Sequence, residues 1–305
     1  MASSVKVNDE GREPPGNPSP SKESKKDSKT KTSRPLKAVY CLQFSTKIPF
    51  DFHHGMSEVQ KMVTLPNDSV VALDRANRKL KLFSADLEFL HYADVGVAPA
   101  GLTVIKNSTV AVSSGDMKNH ITLFKVDDNT LQRTKDIEWE HENYAVCDIT
   151  YADHHFVCLT SKYQSTGKSE ICVERIDTDG KRRTVFTENG NAHLGYNLIS
   201  GSGNYFYICD CYKNKVRCMS YEGKLLWETE TSRGPLGIAL VKENILVSSF
   251  AEGVVSQISL DGHMYKSPVI QELAKPGSIC YQRKRKRLLV SRSDTGNPIR
   301  VYTID

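Results

Sequence analysis

One unit of about 44 residues returns along this chain, and a repeat of that length restricts the fold to arrays of small, similar modules. The stretch Ser69–Phe83 (SVVALDRANRKLKLF) and the stretch Tyr205–Met219 (YFYICDCYKNKVRCM) show the unit most clearly. Each begins with an apolar strand that ends in aspartate, Asp74 or Asp210, and passes through a short polar loop into a strand alternating apolar with basic residues. The second of these strands recurs at Leu80, Ile121, Ile171, Val216, Val255 and Ile299, in steps of 39 to 50 residues. Ahead of the unit stands another short strand, often opened by a glycine: Gly101, Gly195, Gly237 and Gly277. Behind it come the dipeptides Asp179-Gly180, Glu222-Gly223 and Asp261-Gly262, which suit tight hairpins because glycine tolerates a positive φ. Four strands per unit at this period is the pattern of propeller blades.

The count of strands implies how the array closes. Units one to five each read as four strands, whereas the last, Pro276–Asp305, has room for three before the chain ends. A spare strand, Val39–Phe44, lies at the other end of the sequence, and pairing it as the outer strand of the last blade hides two exposed edges. The expectation is an all-β, six-bladed β-propeller of four-stranded blades over residues 37–305. An open solenoid would need capping repeats, and the sequence offers none.

Residues 1–36 read differently. They hold five of the twelve prolines, seven serines and no aromatic residue, too little apolar surface to offset the entropy of ordering, so this segment reads as a disordered Ser/Pro/Lys-rich tail. Its Lys22–Arg34 part reads as a solvated linker, with nuclear import or anion binding as the functional alternative. The whole chain is 39% hydrophobic with a net charge of +5, which does not by itself demand an anionic partner. No run of about 18 apolar residues and no secretory leader is visible, so no membrane association is expected and the chain reads as cytoplasmic, with the nucleus as a second destination. The eight cysteines include no C-x-x-C and read as small buried hydrophobes in a reducing compartment.

Several segments carry a family resemblance. Gly234–Ala239 (GPLGIA) resembles the blade opening of NHL repeats, and Ile208–Asp210, Lys213–Val216 and Glu222–Leu225 resemble the strand, loop and turn that follow in one such repeat. Residues 37–305 are thus similar to the C-terminal NHL-type propellers of tripartite-motif proteins. The blade around Tyr144–Phe186 lacks the opening glycine, and Val247–Ser249 lacks the aspartate. The resemblance implies a platform for proteins or for structured or single-stranded RNA, linked to ubiquitin ligation or post-transcriptional regulation. The RING and B-box that carry ubiquitin transfer and zinc in that family have no counterpart here, so no catalysis of its own is expected of this chain.

The candidate ligand-binding face follows from blade geometry. Loops after second and fourth strands share one face, and the loops after second strands carry Arg75, Arg78, Tyr163, Tyr212, Lys213, Phe250 and Arg292. Cations interleaved with aromatics suit phosphate contact with base stacking, or an acidic peptide, although polar loops are also the ordinary condition of any propeller. A protein is the first partner expected and RNA the second, and no DNA-reading motif occurs. The run Arg283, Lys284, Arg285, Lys286 and Arg287 falls between the first two strands of blade six, on the opposite face. It reads either as a solvated turn or as a site for an anion or an import receptor. No G-x-S-x-G, H-E-x-x-H or phosphate-loop motif is present, and no cofactor or metal is expected. The alternative is a six-bladed hydrolase or lyase with a metal in the channel, whose ligands would come from several blades and leave no local motif.

Overall fold

A computed structural model describes residues 34–48, 51, 57–96, 98–106, 108–115, 120–139, 144–163, 169–190, 197–202, 204–294 and 298–305. The expected tail lies outside the described residues up to residue 33, as does the opening glycine Gly195. Among the described residues there are 23 strands and no helix, hence no helix long and apolar enough to cross a membrane.

Six antiparallel sheets form in chain order. After β1 (Ala38–Phe44), blade one is β2 (Val59–Thr64), β3 (Val70–Asp74), β4 (Lys79–Phe83) and β5 (Phe89–Asp94). Blade two is β6 (Pro99–Lys106), β7 (Thr109–Ser114), β8 (His120–Asp127) and β9 (Thr130–Glu138). Blade three is β10 (Tyr144–Ala152), β11 (His155–Tyr163), β12 (Ser169–Ile176) and β13 (Arg182–Gly190), and blade four is β14 (Asn197–Ser202), β15 (Tyr205–Asp210), β16 (Lys215–Ser220) and β17 (Leu225–Glu230). Blade five has three strands, β18 (Pro235–Val241), β19 (Asn244–Ser249) and β20 (Val254–Ser259); blade six joins β21 (Pro276–Gln282), β22 (Arg287–Arg292) and β23 (Ile299–Ile304) to β1.

Alternation along each middle strand explains the ring. Val71 and Leu73 of β3 enter an apolar cluster with Leu102, Val110 and Val112 of blade two, whereas Val70 and Ala72 enter one with Leu289, Ile299 and Val301 of blade six. Four further clusters fill the interfaces between blades two and three, three and four, four and five, and five and six. The second strands of the blades are therefore apolar on both faces, and β3 is buried at every position. The innermost strands follow one another around the axis from β2 through β21 and back to β2. The turn glycines Gly180, Gly223 and Gly262 all have positive φ, from 81° to 91°, as their hairpins require.

The repeated aspartate has a local task. Asp74 Oδ1 accepts the Asn77 N–H at 3.2 Å, and Asp210 Oδ1 accepts the Lys213 N–H at 2.9 Å, so each carboxylate caps the loop that follows its strand. One expectation is corrected: blade five has no regular fourth strand. Its outer position is held by a segment that forms isolated bridges to β20 rather than a ladder, Met264 to Ile258 and Ile270 to Val255, with Pro268 between them lacking an N–H for a continuous ladder.

Closure occurs where counting placed it. β1 pairs with β23 from Ala38↔Ile304 to Phe44↔Ile299, with an irregularity at Cys41. Gln257 of β20 fixes the chain leading into β1: its Oε1 accepts the Leu36 N–H at 2.8 Å and its Nε2 donates to the Arg34 carbonyl at 3.0 Å. On the other side of β1, the chain toward blade one is held by Lys81, fully buried, whose Nζ donates to the Thr46 carbonyl (2.8 Å), Asp51 Oδ2 (2.9 Å) and Asp74 Oδ2 (2.7 Å). Burial pushes the Asp74 carboxyl upward, but Lys81, Asn77 and Ser57 outweigh it and hold the group below its ordinary value. All eight cysteines are free thiols, five of them buried.

Removing residues 1–33 leaves the closing ladder whole and should change the melting temperature by no more than about 2 °C, whereas removing residues 1–44 should lower it by more than about 10 °C, read by circular dichroism. The variant Lys81→Met strands two buried carboxylates and should cost about 3–5 kcal/mol at pH 7 in denaturant unfolding. Because the folded-state value of Asp74 is depressed, the stability it contributes is present above its unfolded value and lost as pH falls through the folded one. The difference between wild type and Lys81→Met should therefore shrink below about pH 4.

Candidate functional site

The axis of the ring carries an ion pair that skips a blade. Lys61 of β2 and Asp148 of β10 belong to blades one and three, yet the Lys61 Nζ lies 2.6 Å from Asp148 Oδ1 and 2.5 Å from Oδ2, and 3.2 Å from the Ile149 carbonyl oxygen. The Asp148 side chain has no solvent exposure, and its Oδ1 also accepts the Ile149 N–H at 2.8 Å. Gly101 of the intervening β6 makes the reach feasible: a Cβ there would stand 2.5 Å from Asp148 Oδ1 and 2.6 Å from the Ile149 nitrogen. Both charges are thus spent on each other at the centre of the molecule.

Between this pair and the loops after the first strands lies a cavity of about 510 Å3. Its walls come from the inner strands, with Leu102, Val104, Ile238 and Ile279 among the apolar groups. Several hydroxyls of the wall stitch neighbouring blades together. Ser278 Oγ accepts the Met62 N–H at 2.9 Å, Thr64 Oγ1 donates to the Tyr281 carbonyl at 2.8 Å, and Thr150 Oγ1 accepts the Gly201 N–H at 2.7 Å. Arg283 and Lys284, with Pro66 and Asp68, form part of the rim.

The basic hairpin is more ordered than a solvated turn. Asp68, almost fully buried, accepts the Lys284 N–H at 3.2 Å and the Arg285 N–H at 2.8 Å. Arg285 donates through Nε to the Ala85 carbonyl at 2.8 Å and pairs with Asp86 at 2.7 Å. Arg285 and Arg287 are half-buried, while Arg283, Lys284 and Lys286 are exposed. Among the described residues, neither Arg283 nor Lys284 meets a carboxylate through its side chain.

The expected ligand face differs in its charge pairing. Arg75 lies 3.8 Å from Glu58, and Arg78 is exposed at φ 52°. Lys213 pairs with Glu188, which also takes Arg217 at 2.5 Å, and these two cations hold the Glu188 carboxyl below its ordinary value against the opposing effect of burial. Arg292 forks onto Asp294 at 3.0 and 2.9 Å, with Lys275 3.7 Å from the same carboxylate. Tyr212 is exposed. Phe250 is half-buried, its ring lying over Gly234, where a Cβ would meet Cε1 at 2.4 Å. Tyr163 ends β11; its side chain, and the loop residues 116–119, 164–168 and 295–297, lie outside the described residues.

For the channel-metal alternative, no group of three or more His, Cys, Asp or Glu side chains placed to hold an ion occurs among the described residues. His53 and His54 lie outside them, and His154 sits in a turn at φ 62°. Sequence reasoning missed Lys61 and Asp148. The available signal was a lone acid within the otherwise apolar run around Asp148, with nothing local to identify its partner.

No family model and no curated protein sequence matches the chain. Its fold is found among solved structures. A structural-genomics protein of unknown function from Bacteroides thetaiotaomicron superposes with a TM-score of 0.64 at 12% identity, over 89% of this chain and 76% of that one. A streptogramin B lyase gives 0.58 at 12% identity, over 88% and 98%. The β-propeller domain of Cps50 (Swd1) from Myceliophteria thermophila gives 0.54 at 10% identity, over 86% and 99%. At these identities the similarity is one of fold, that of the β-propeller.

Replacing Gly101 by alanine forces a methyl group against Asp148 and the β10 backbone. It should cost about 1–3 kcal/mol in denaturant unfolding, whereas alanine at Gly96, where a Cβ meets nothing within 4 Å but φ is 78°, carries only the backbone penalty of about 1 kcal/mol.

Proposed function

We propose that this propeller is a non-catalytic binding platform of the NHL type, that its partner is a protein, and that the partner sits on the face bearing the axial cavity. The cavity carries this reading, because it lies on the same side as Arg283 and Lys284, which among the described residues meet no carboxylate. That side also presents exposed apolar groups: Tyr205 at the start of β15, Leu225 and Leu226 at the start of β17, and Leu260 after β20. Trp227 Nε1 donates to the Leu260 carbonyl at 2.9 Å and ties two of these blades together. Apolar and aromatic side chains beside arginine are the composition of a protein–protein contact. On the opposite face, Arg75, Lys213 and Arg292 each lie beside an acid, which weakens the attraction these residues offer to a polyanion, although Arg78 is exposed with no acid beside it among the described residues.

A relation to ubiquitin ligation or to post-transcriptional regulation belongs to this proposal through the NHL-type resemblance alone, and a cytoplasmic location, with the nucleus as a second destination, through the sequence alone. The streptogramin B lyase among the structural neighbours keeps an enzyme reading in view, but the one carboxylate described at the centre of this channel is neutralised by Lys61.

Capture of partners by the full chain from a cell lysate, with and without ribonuclease, tests the platform. Protein capture that survives ribonuclease and falls about tenfold in Leu225→Glu/Leu226→Glu, but not in Arg75→Glu/Lys213→Glu, is the expected outcome. Capture abolished by ribonuclease, or lost only in the second variant, contradicts it.

A further inference from the structure

We infer that the axial cavity is a socket for an acidic peptide segment of the partner, with an apolar side chain seated in the cavity and carboxylates on Arg283 and Lys284. The inference rests on the platform reading and specifies the chemistry recognised there. The volume, about 510 Å3, falls within the range of sites that enclose a ligand group of substantial size. Its interior is unsuited to a charge. The Lys61 ammonium at its base lies against Asp148 and the Ile149 carbonyl, and the Thr64, Thr150 and Ser278 hydroxyls already bond across blade boundaries. An ion placed among Leu102, Val104, Ile238 and Ile279 would lose hydration without gaining a counter-charge, whereas an apolar side chain would leave water at no such cost.

Charge recognition is confined to the rim. Arg283 and Lys284 are exposed, and two backbone bonds from their hairpin to Asp68 fix where they stand. The Asp68 carboxylate offsets part of their charge but is buried against the hairpin backbone, so the solvent-facing side is cationic. Two held cations beside an apolar socket complement a segment in which acidic residues flank a leucine or an aromatic residue. Nucleic acid would supply the anions along its whole backbone, without placing an apolar side chain at one point on the axis.

The test selects random dodecapeptides displayed on phage against the full chain, then measures one enriched peptide, fluorescein-labelled, by anisotropy. Enrichment of sequences with at least two Asp or Glu beside Leu, Phe or Trp is expected. Affinity should fall about tenfold or more in Arg283→Glu/Lys284→Glu, and similarly in Val104→Trp, which fills the cavity, while Arg75→Glu/Lys213→Glu binds as wild type. Thermal melting checks each variant; should Val104→Trp fail to fold, the exposed charge pair decides alone. Enriched peptides without acidic residues, indifference to the Arg283/Lys284 variant, or displacement of the peptide by a labelled twelve-nucleotide oligouridylate overturns the inference. A partner captured from lysate that ignores the Arg283/Lys284 substitutions leaves the platform standing and removes only the socket; absence of any ribonuclease-resistant partner removes the platform itself.

Discussion

The second strand of every blade in this ring is apolar on both faces, so each blade must find a neighbour on each side. That requirement is met only by closing the circle. Six apolar clusters, one per interface, result, and the cluster between blades six and one, built on Val70, Ala72, Leu289 and Val301, joins the two ends of the sequence. The pairing of β1 with β23 holds those ends together. The side chain of Gln257 secures the approach to β1, and Lys81 secures the exit toward blade one. A fold whose neighbour contacts are mostly local thus depends on one contact between its first and last strands.

The same closure sets the electrostatics of the axis. Six inner strands turn free edges toward the channel, and several polar groups there bond across blade boundaries. Ser248 Oγ donates to the Gly277 carbonyl, Ser278 accepts from Met62, and Lys61 crosses to Asp148 past Gly101. With Lys61 and Asp148 opposed, the central channel offers apolar wall and hydroxyls that already bond across blade boundaries. Arg283 and Lys284, whose side chains meet no carboxylate among the described residues, stand at the rim, on a hairpin whose backbone Asp68 holds. The division of the site into an apolar interior and a basic edge follows from how the ring is held shut.

Blade number and closure were legible because they leave periodic traces. The strand positions at Leu80, Ile121, Ile171, Val216, Val255 and Ile299 each fall in the third strand of a blade, and Val39–Phe44 lies within β1. The repeated aspartate was visible as a pattern, and its capping bonds at Asp74 and Asp210 supply the reason. The missing outer strand of blade five was less legible: Pro268 was in plain view, but its effect depends on which backbone groups must face β20. Pairing across space was illegible. Glu58 reaches Arg75 from the connection before β2, Glu188 reaches Lys213 from the preceding blade, and Asp148 reaches Lys61 from two blades away. The acids beside Arg75 and Lys213 come from other elements, which no count of cations along the loops could reveal.

Hydrogen exchange of the full chain, alone and with its captured partner, measures most directly which face works. Protection should appear in the hairpin between β21 and β22, at the end of β10 near Tyr151, and in the loop between β2 and β3, with the loops around Arg75, Tyr212 and Arg292 unchanged. Protection confined to those latter loops would contradict the account and place the working face on the opposite side of the ring.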